Sequence, residues 1–147
     1  MSAEVRELRP PEEAEAMAIR IKVFVEEQNV PLQEEYDDYD KAARHFGVFL
    51  NDLMVGTGRL LVLNGRGKIG RVAILKKYRG RGLGRLLLEN IIAAGREQSL
   101  REFVIDAQLQ AIDFYTGLGF RAEGEVFLDG GLPHRVMRLH LDSQKED

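Results

Sequence analysis

Between Ile74 and Ile91 the chain sets Lys76, Lys77, Arg79, Arg81 and Arg85 around three glycines, Gly80, Gly82 and Gly84. An apolar, strand-like run precedes them and a leucine-rich, helix-like run follows. The chemistry this spacing offers is capture of an anion. A strand feeding such a turn into a helix near Leu83 aims unpaired backbone N–H groups at one spot on the positive end of that helix, and the arginines add charge. Side chains at Gly80, Gly82 or Gly84 would obstruct a bulky phosphate or forbid the dihedrals of the turn. Two linked phosphates suit the arrangement better than one carboxylate. The local Gly80-x-Gly82-x-Gly84 is neither the Gly-x-Gly-x-x-Gly of dinucleotide folds nor a P-loop, since no Lys-Ser/Thr pair follows.

Other chemistries are narrowed by what the chain lacks. There is no cysteine, which excludes thiolate nucleophiles and cysteine-ligated metals. Its three histidines, His45, His134 and His140, show no metal-site spacing, so no metal is expected. His45 and His140 fall in strand patterns and read as structural. His134, beside Pro133, has a ring suited to proton transfer, or it satisfies backbone groups at a strand start. Tyr115, read from its neighbours alone, is a packed aromatic beside Phe114.

Two signatures carry a resemblance. Arg79-Gly80-Arg81-Gly82-Leu83-Gly84 resembles the Arg/Gln-x-x-Gly-x-Gly/Ala loop of the GNAT superfamily of N-acetyltransferases, and "QLQAIDFYTGLGF" is similar to its NxxAxxFYxxLGF tail, with Gln108 at the usual Asn. The stretches "VFVEEQNVP", "EEYDDYD", "HFGV", "VGTGRL" and "GLPHRVM" look like the small ElaA- and YjcF-like bacterial branch. The resemblance implies an α/β (α+β) fold with a mixed central sheet of about six to seven strands, flanked by helices and splayed between the fourth and fifth strands. It also implies acetyl-CoA as the donor, with its diphosphate at Arg79, Gly80, Arg81, Gly82, Leu83, Gly84 and Arg85. The pantetheine arm is expected to pair with backbone near Val72 and Ile74, and Gln108 and Tyr115 to lie beside it.

Acetyl transfer to an amine requires a neutral nucleophile, a polarised carbonyl and a proton for the departing sulfur. An alkyl amine with a pKa of about 10.4 is mostly protonated at pH 7 and needs help to lose its proton. The resemblance places the Tyr115 hydroxyl near the thioester sulfur, where it is expected to contact CoA and to donate either a hydrogen bond or a proton. Glu26, Glu27 and His134 are the candidate bases, and Asp106 a residue able to touch acceptor, water or neighbouring backbone. The implied reaction is direct attack by a primary amine of a small molecule or peptide in a ternary complex. The alternative is a noncatalytic acyl-CoA-binding or regulatory module that kept the loop and lost turnover.

The elements that must position these residues follow from pattern. Ala3 to Leu8 alternates as a first strand. Ala14, Met17, Ala18, Ile21 and Val25 recur at helical steps, and Asn29 and Pro31 end that helix. "PLQEEYDDYDKAA" is acidic and aperiodic: a solvated loop, or a surface that attracts a cationic amine through Glu34, Glu35, Asp37, Asp38 and Asp40. Strands are expected at Arg44–Leu50 and Leu53–Leu63 about Asn51-Asp52, and from Lys68 to Leu75 after Asn64-Gly65, a pair suited to a type I′ turn. Leu83, Leu87, Ile91 and Ala94 make one helical face that Gly95 weakens or ends. A strand at Glu102–Ala107, a short helix at Ala111–Leu118 and closing strands at Phe120–Leu128 and His134–Leu141 complete a β-α-β-β-β-α-β-α-β-β order.

With 147 residues and no linker-like break, one domain over 1–147 is expected. The net charge of -3 makes any anion site local, and nucleic acid is not an expected partner. No run has the length of a signal peptide core or a membrane span, so the expected setting is cytoplasmic, with no membrane partner. The family resemblance is compatible with either a monomer or a homodimer.

Overall fold

The computed structural model describes residues 2–141, so the expected domain of 1–147 runs beyond them at both ends. Seven strands form one sheet in the order β1-β2-β3-β4-β5-β7-β6. They are β1 (Ala3–Glu7), β2 (Arg44–Leu50), β3 (Leu53–Leu63), β4 (Arg66–Ile74), β5 (Glu102–Gln108), β6 (Arg121–Asp129) and β7 (Leu132–His140). All neighbours are antiparallel except β4 and β5, which the long helix α3 (Leu83–Glu97) connects. The other helices are α1 (Glu13–Arg20), α2 (Leu32–Glu35) and α4 (Ile112–Thr116).

Turn chemistry sets the hairpins. Asn51 and Asp52, Asn64 and Gly65, and Gly130 and Gly131 all take positive φ at both central positions, the requirement of the two-residue turn whose twist matches paired strands. Each closes its hairpin at the flanking pair: Leu50 with Leu53, Leu63 with Arg66, Asp129 with Leu132.

α3 buries the expected face of Leu83, Leu87, Ile91 and Ala94, with Leu88 beside it. Leu87, Leu88 and Ile91 are completely enclosed and contribute about 1.5–3 kcal/mol each. They pack with Phe46, Leu60, Ile69, Phe103, Tyr115 and Phe120 in the main core. Gly95 does not end α3, which continues to Glu97. A Cβ at Gly95 would lie 2.5 Å from the Phe103 ring, so the missing side chain lets helix and strand approach.

The first helix departs from expectation in two ways. Its buried positions are Ala16, Ile19, Arg20 and Val23 rather than the Ala14, Met17, Ala18, Ile21, Val25 face, and Ala16, Ile19 and Val23 pack on Leu8, Phe49, Met54 and Ala73. Burial of an arginine rotates the face, because a hydrophobic count treats Arg20 as a solvent residue. The helix also widens over Ile21–Glu27 into a π-helical segment, with Gln28 N–H donating to the Val23 carbonyl at 3.1 Å. Such segments are rare and favour functional sites.

Two irregularities of β4 open the sheet. Thr57 and Arg59 of β3 pair with Ala73 and Gly70, so three steps of β4 oppose two of β3. The extra residue is a bulge in which Arg71 takes φ 52°. β4 pairs with β5 only at Gly67–Phe103, Lys68–Val104 and Ile69–Ile105. Beyond Ile69 the strands part, and β5 keeps its other edge on β7 through Gln108–His134.

Candidate active site

The parted strands bound a cleft of about 860 Å³. At one end is the glycine-rich turn. Gly80 and Gly82 both sit at φ 79°, and Gly82 directly precedes α3 without any capping side chain. The first intrahelical bond runs from Leu86 N–H to the Gly82 carbonyl, which leaves the amides of the first turn facing outward. A Cβ at Gly80 or Gly82 would meet no protein atom within 4 Å, so the space beside those amides is open to a ligand. Gly84 has a second role, since a Cβ there would lie 3.3 Å from Phe114 of α4. The loop thus fits a diphosphate in shape, polarity and backbone conformation.

The arginines of the loop divide. Arg79 lines the cleft, donates from Nε to the Ile74 carbonyl at 2.8 Å and forks onto Glu27 at 2.6 and 2.9 Å. Arg85 also lines it and reaches Glu89 at 3.2 Å. Arg81 stacks over Tyr78 and lies outside the lining.

Val72, Ala73 and Ile74 form the β4 wall, and Tyr115 also lines the cleft. Its ring is buried and meets Phe114 and Phe120 edge-on, at centroid distances of 5.0 and 5.9 Å. Burial pushes its hydroxyl above its ordinary value, so the group stays a proton donor at neutral pH.

The base candidates separate by position. Glu26 is exposed beside Lys22, and Glu27 is held by Arg79, whose hydrogen bond lowers its carboxyl below the ordinary range. Neither lines the cleft, whereas His134 does. Its Nδ1 is 2.7 Å from the Leu132 carbonyl and its ring stacks on Phe127. A carbonyl can only accept, so Nδ1 carries the proton and Nε2 is the basic nitrogen of the neutral ring. Gln108 donates to Gln28 of the first-helix segment at 2.9 Å and accepts from Gln110 at 2.5 Å. Asp106 is tied to Lys68 at 2.8 Å.

The acidic stretch is mainly a buried charge network. Arg20 holds Glu35 at 2.6 Å and Asp40 at 2.7 Å, and Arg59 holds Asp37 and Asp40 at 2.8 Å. Arg71 joins Glu35 and Asp37 at 3.2 Å. Burial works against the charge of Asp40, yet Arg20 and Arg59 prevail and hold its carboxyl at about 2. Burial also dominates at Glu35, where it pushes the carboxyl up against the pull of Arg20. The solvated-face reading therefore fails for Glu35 and Asp40, because arginines distant in sequence satisfy them. His45 joins the same structure, with Nε2 2.8 Å from the Asp40 carbonyl.

The sheet parts between β4 and β5 beside a glycine turn that opens α3, Tyr115 of α4 lines the gap, and residues 9–141 match the acetyltransferase (GNAT) domain. The chain belongs to the GNAT family. The uncharacterized N-acetyltransferase YjcF of Bacillus subtilis (strain 168) is 37% identical over 124 residues, spanning 84% of this chain and 89% of its own. The ElaA crystal structure from Escherichia coli superposes with a TM-score of 0.84 at 27% identity, covering 95% of this chain and 100% of that one. An acyl-CoA N-acyltransferase from Pseudomonas aeruginosa gives 0.82 at 30% identity, with 94% and 98% covered. Fold and family together make this GNAT protein an acetyltransferase that uses an acyl-CoA donor.

Sequence reasoning missed several residues that line this GNAT cleft or brace it. Arg59, Arg71 and Gln28 all line it, and Arg20 anchors its wall. One signal was present: an arginine inside the apolar run "VGTGRLLVL" needs a buried acid somewhere.

Proposed function

We propose that the protein transfers an acetyl group from acetyl-CoA to a primary amine of a small molecule or peptide by direct attack. The observation that carries this reading is one cleft lined by Gly80, Gly82, Leu83 and Gly84, by the β4 wall, and by Tyr115 and His134. The turn amides with Arg79 and Arg85 hold the diphosphate of the donor, and the edge of β4 at Val72 and Ile74, unpaired by β5, reads the pantetheine amides. Gln108 keeps Gln28 and Gln110 in place on the floor of the cleft.

The chain's own groups then move two protons. His134 Nε2 accepts the proton that the amine nitrogen sheds as it bonds to the acetyl carbon. The C–S bond breaks with its electron pair on sulfur, and the Tyr115 hydroxyl supplies the proton that sulfur takes. Of the three base candidates His134 is favoured, because it alone faces the cleft.

The test is an acetyl-CoA turnover screen over amines, amino acids and peptides, with CoA release followed and products identified by mass spectrometry. Tyr115→Phe is expected to lower kcat by about 100-fold or more, the lower end of general-acid effects, while acetyl-CoA affinity stays close to wild type. Unchanged kcat in that variant removes Tyr115 from the proton path. A failure of acetyl-CoA to bind wild-type protein removes the whole reading.

A further inference from the structure

One guanidinium at the acceptor end is held far less firmly than its neighbours. Arg20 and Arg59 take their acids at 2.6–2.8 Å, and their side chains are only 3% and 10% exposed. Arg71 reaches the Glu35 and Asp37 carboxylates only at 3.2 Å and the Glu34 and Glu35 carbonyls at 3.3 Å. Those hydrogen bonds use Nε and Nη2; among the described residues Nη1 donates none. A quarter of the side chain is exposed, and it lines the cleft.

Its backbone makes the placement more telling. At φ 52° in the β4 bulge, a glycine or asparagine would sit with less strain than arginine, so the side chain is present against the local backbone preference. In the acetyl-transfer reading the donor arm runs from the glycine turn back along Ile74 and Val72. Arg71 is the next residue, where an acceptor would meet the thioester.

Three guanidiniums, of Arg20, Arg59 and Arg71, meet three carboxylates, of Glu35, Asp37 and Asp40, and Arg71 is the most exposed and most loosely held of the three. Glu34 and Asp129, both exposed on the cleft lining, suit the ammonium end of an incoming molecule.

We infer that Arg71 reads a carboxylate on the acceptor, so that the acceptor class is a small primary amine bearing a carboxylate, an amino acid rather than a polyamine. This rests on the acetyl-transfer reading. It deepens that reading by assigning a specificity residue, with Nη1 and Nη2 forming a fork on the acceptor's carboxylate.

The test avoids turnover. N-acetyl amino acids with small, acidic and apolar side chains, and their matching carboxamides, are titrated by calorimetry onto CoA-saturated protein. At least one acid is expected to bind about tenfold or more tightly than its amide, the scale of a charge-assisted hydrogen bond. Arg71→Gly and Arg71→Asn both suit the positive φ and leave Glu35 its Arg20 partner, and each is expected to erase that preference. Their CoA isotherms serve as the check on folding. CoA binding without any acid-over-amide preference, or a preference that survives in both variants, overturns the inference and leaves acetyl transfer standing. No CoA binding by wild-type protein overturns both.

Discussion

Replacing Gly82 with alanine tests the loop against a control that the fold itself supplies. Gly82 sits at φ 79° before α3, Gly65 at φ 76° in the β3–β4 turn, and a Cβ at either would meet no heavy atom within 4 Å. Both substitutions therefore carry the same intrinsic cost, a left-handed backbone for an L residue, of about 1 kcal/mol. At about 2–4 °C per kcal/mol for a chain of this size, each lowers Tm by about 2–4 °C. What differs is the space the methyl group enters. At position 65 it points into solvent at a hairpin tip, and at position 82 it enters the open space beside the first-turn amides of α3. Loss of one charge-assisted hydrogen bond of about 1.5–3 kcal/mol weakens acetyl-CoA binding about 10–100-fold. Calorimetric titration of acetyl-CoA into wild type, Gly82→Ala and Gly65→Ala, with Tm measured on each free protein, separates the two effects. Matched Tm losses with an affinity loss confined to Gly82→Ala is the expected result. Equal acetyl-CoA affinities in the two variants would refute the assignment of the loop to the diphosphate.

Two further substitutions probe the frame around the site. Asp40→Asn leaves Arg20 and Arg59 short of a buried partner, so it should cost about 3–5 kcal/mol by urea unfolding at pH 7. Because the folded carboxyl titrates at about 2 against an ordinary 3.8, its stabilisation is present above pH 3.8 and is lost as pH falls toward 2. The gap between wild type and variant should narrow over that window, and a gap independent of pH would remove the ion pairs as its cause. Gly95→Ala sets a Cβ 2.5 Å from the Phe103 ring and is expected to destabilise by about 1–3 kcal/mol. A rise in Tm, the sign that helix propensity alone predicts, would show that the close approach of α3 to β5 is not required.

What was legible in the sequence is what short-range chemistry writes. The Asn64-Gly65 turn, the Leu83–Leu87–Ile91–Ala94 face and the glycine loop each rest on residues within a few positions of one another, and each formed as read. The parting of β4 from β5 came from the family resemblance, since nothing in "GRVAIL" marks a strand that has lost its neighbour. The pattern leaves Gly95 to weaken or end the helix, and α3 runs on to Glu97, because a glycine inside a helix looks the same whether it ends the helix or admits a neighbour. Only the Phe103 ring decides between the two.

The acidic stretch shows where local reading fails and why that bears on function. Its partners come from positions 20, 59 and 71, on α1, β3 and the β4 bulge, so no window of sequence contains both halves of a pair. Read alone, Glu34 to Asp40 has the composition of a cation trap. Once Glu35, Asp37 and Asp40 are paired, most of that charge is spent internally, and long-range attraction of a polycation loses its source. The network instead braces α1, the following loop, β3 and β4 around one end of the cleft, with the buried Arg20 tying the helix to Glu35 and Asp40. An acceptor then meets individual side chains rather than a field. Among the arginines of that network, the one at the strained bulge is held at the longest distances, so selectivity there is set by what Arg71 can exchange for its 3.2 Å contacts.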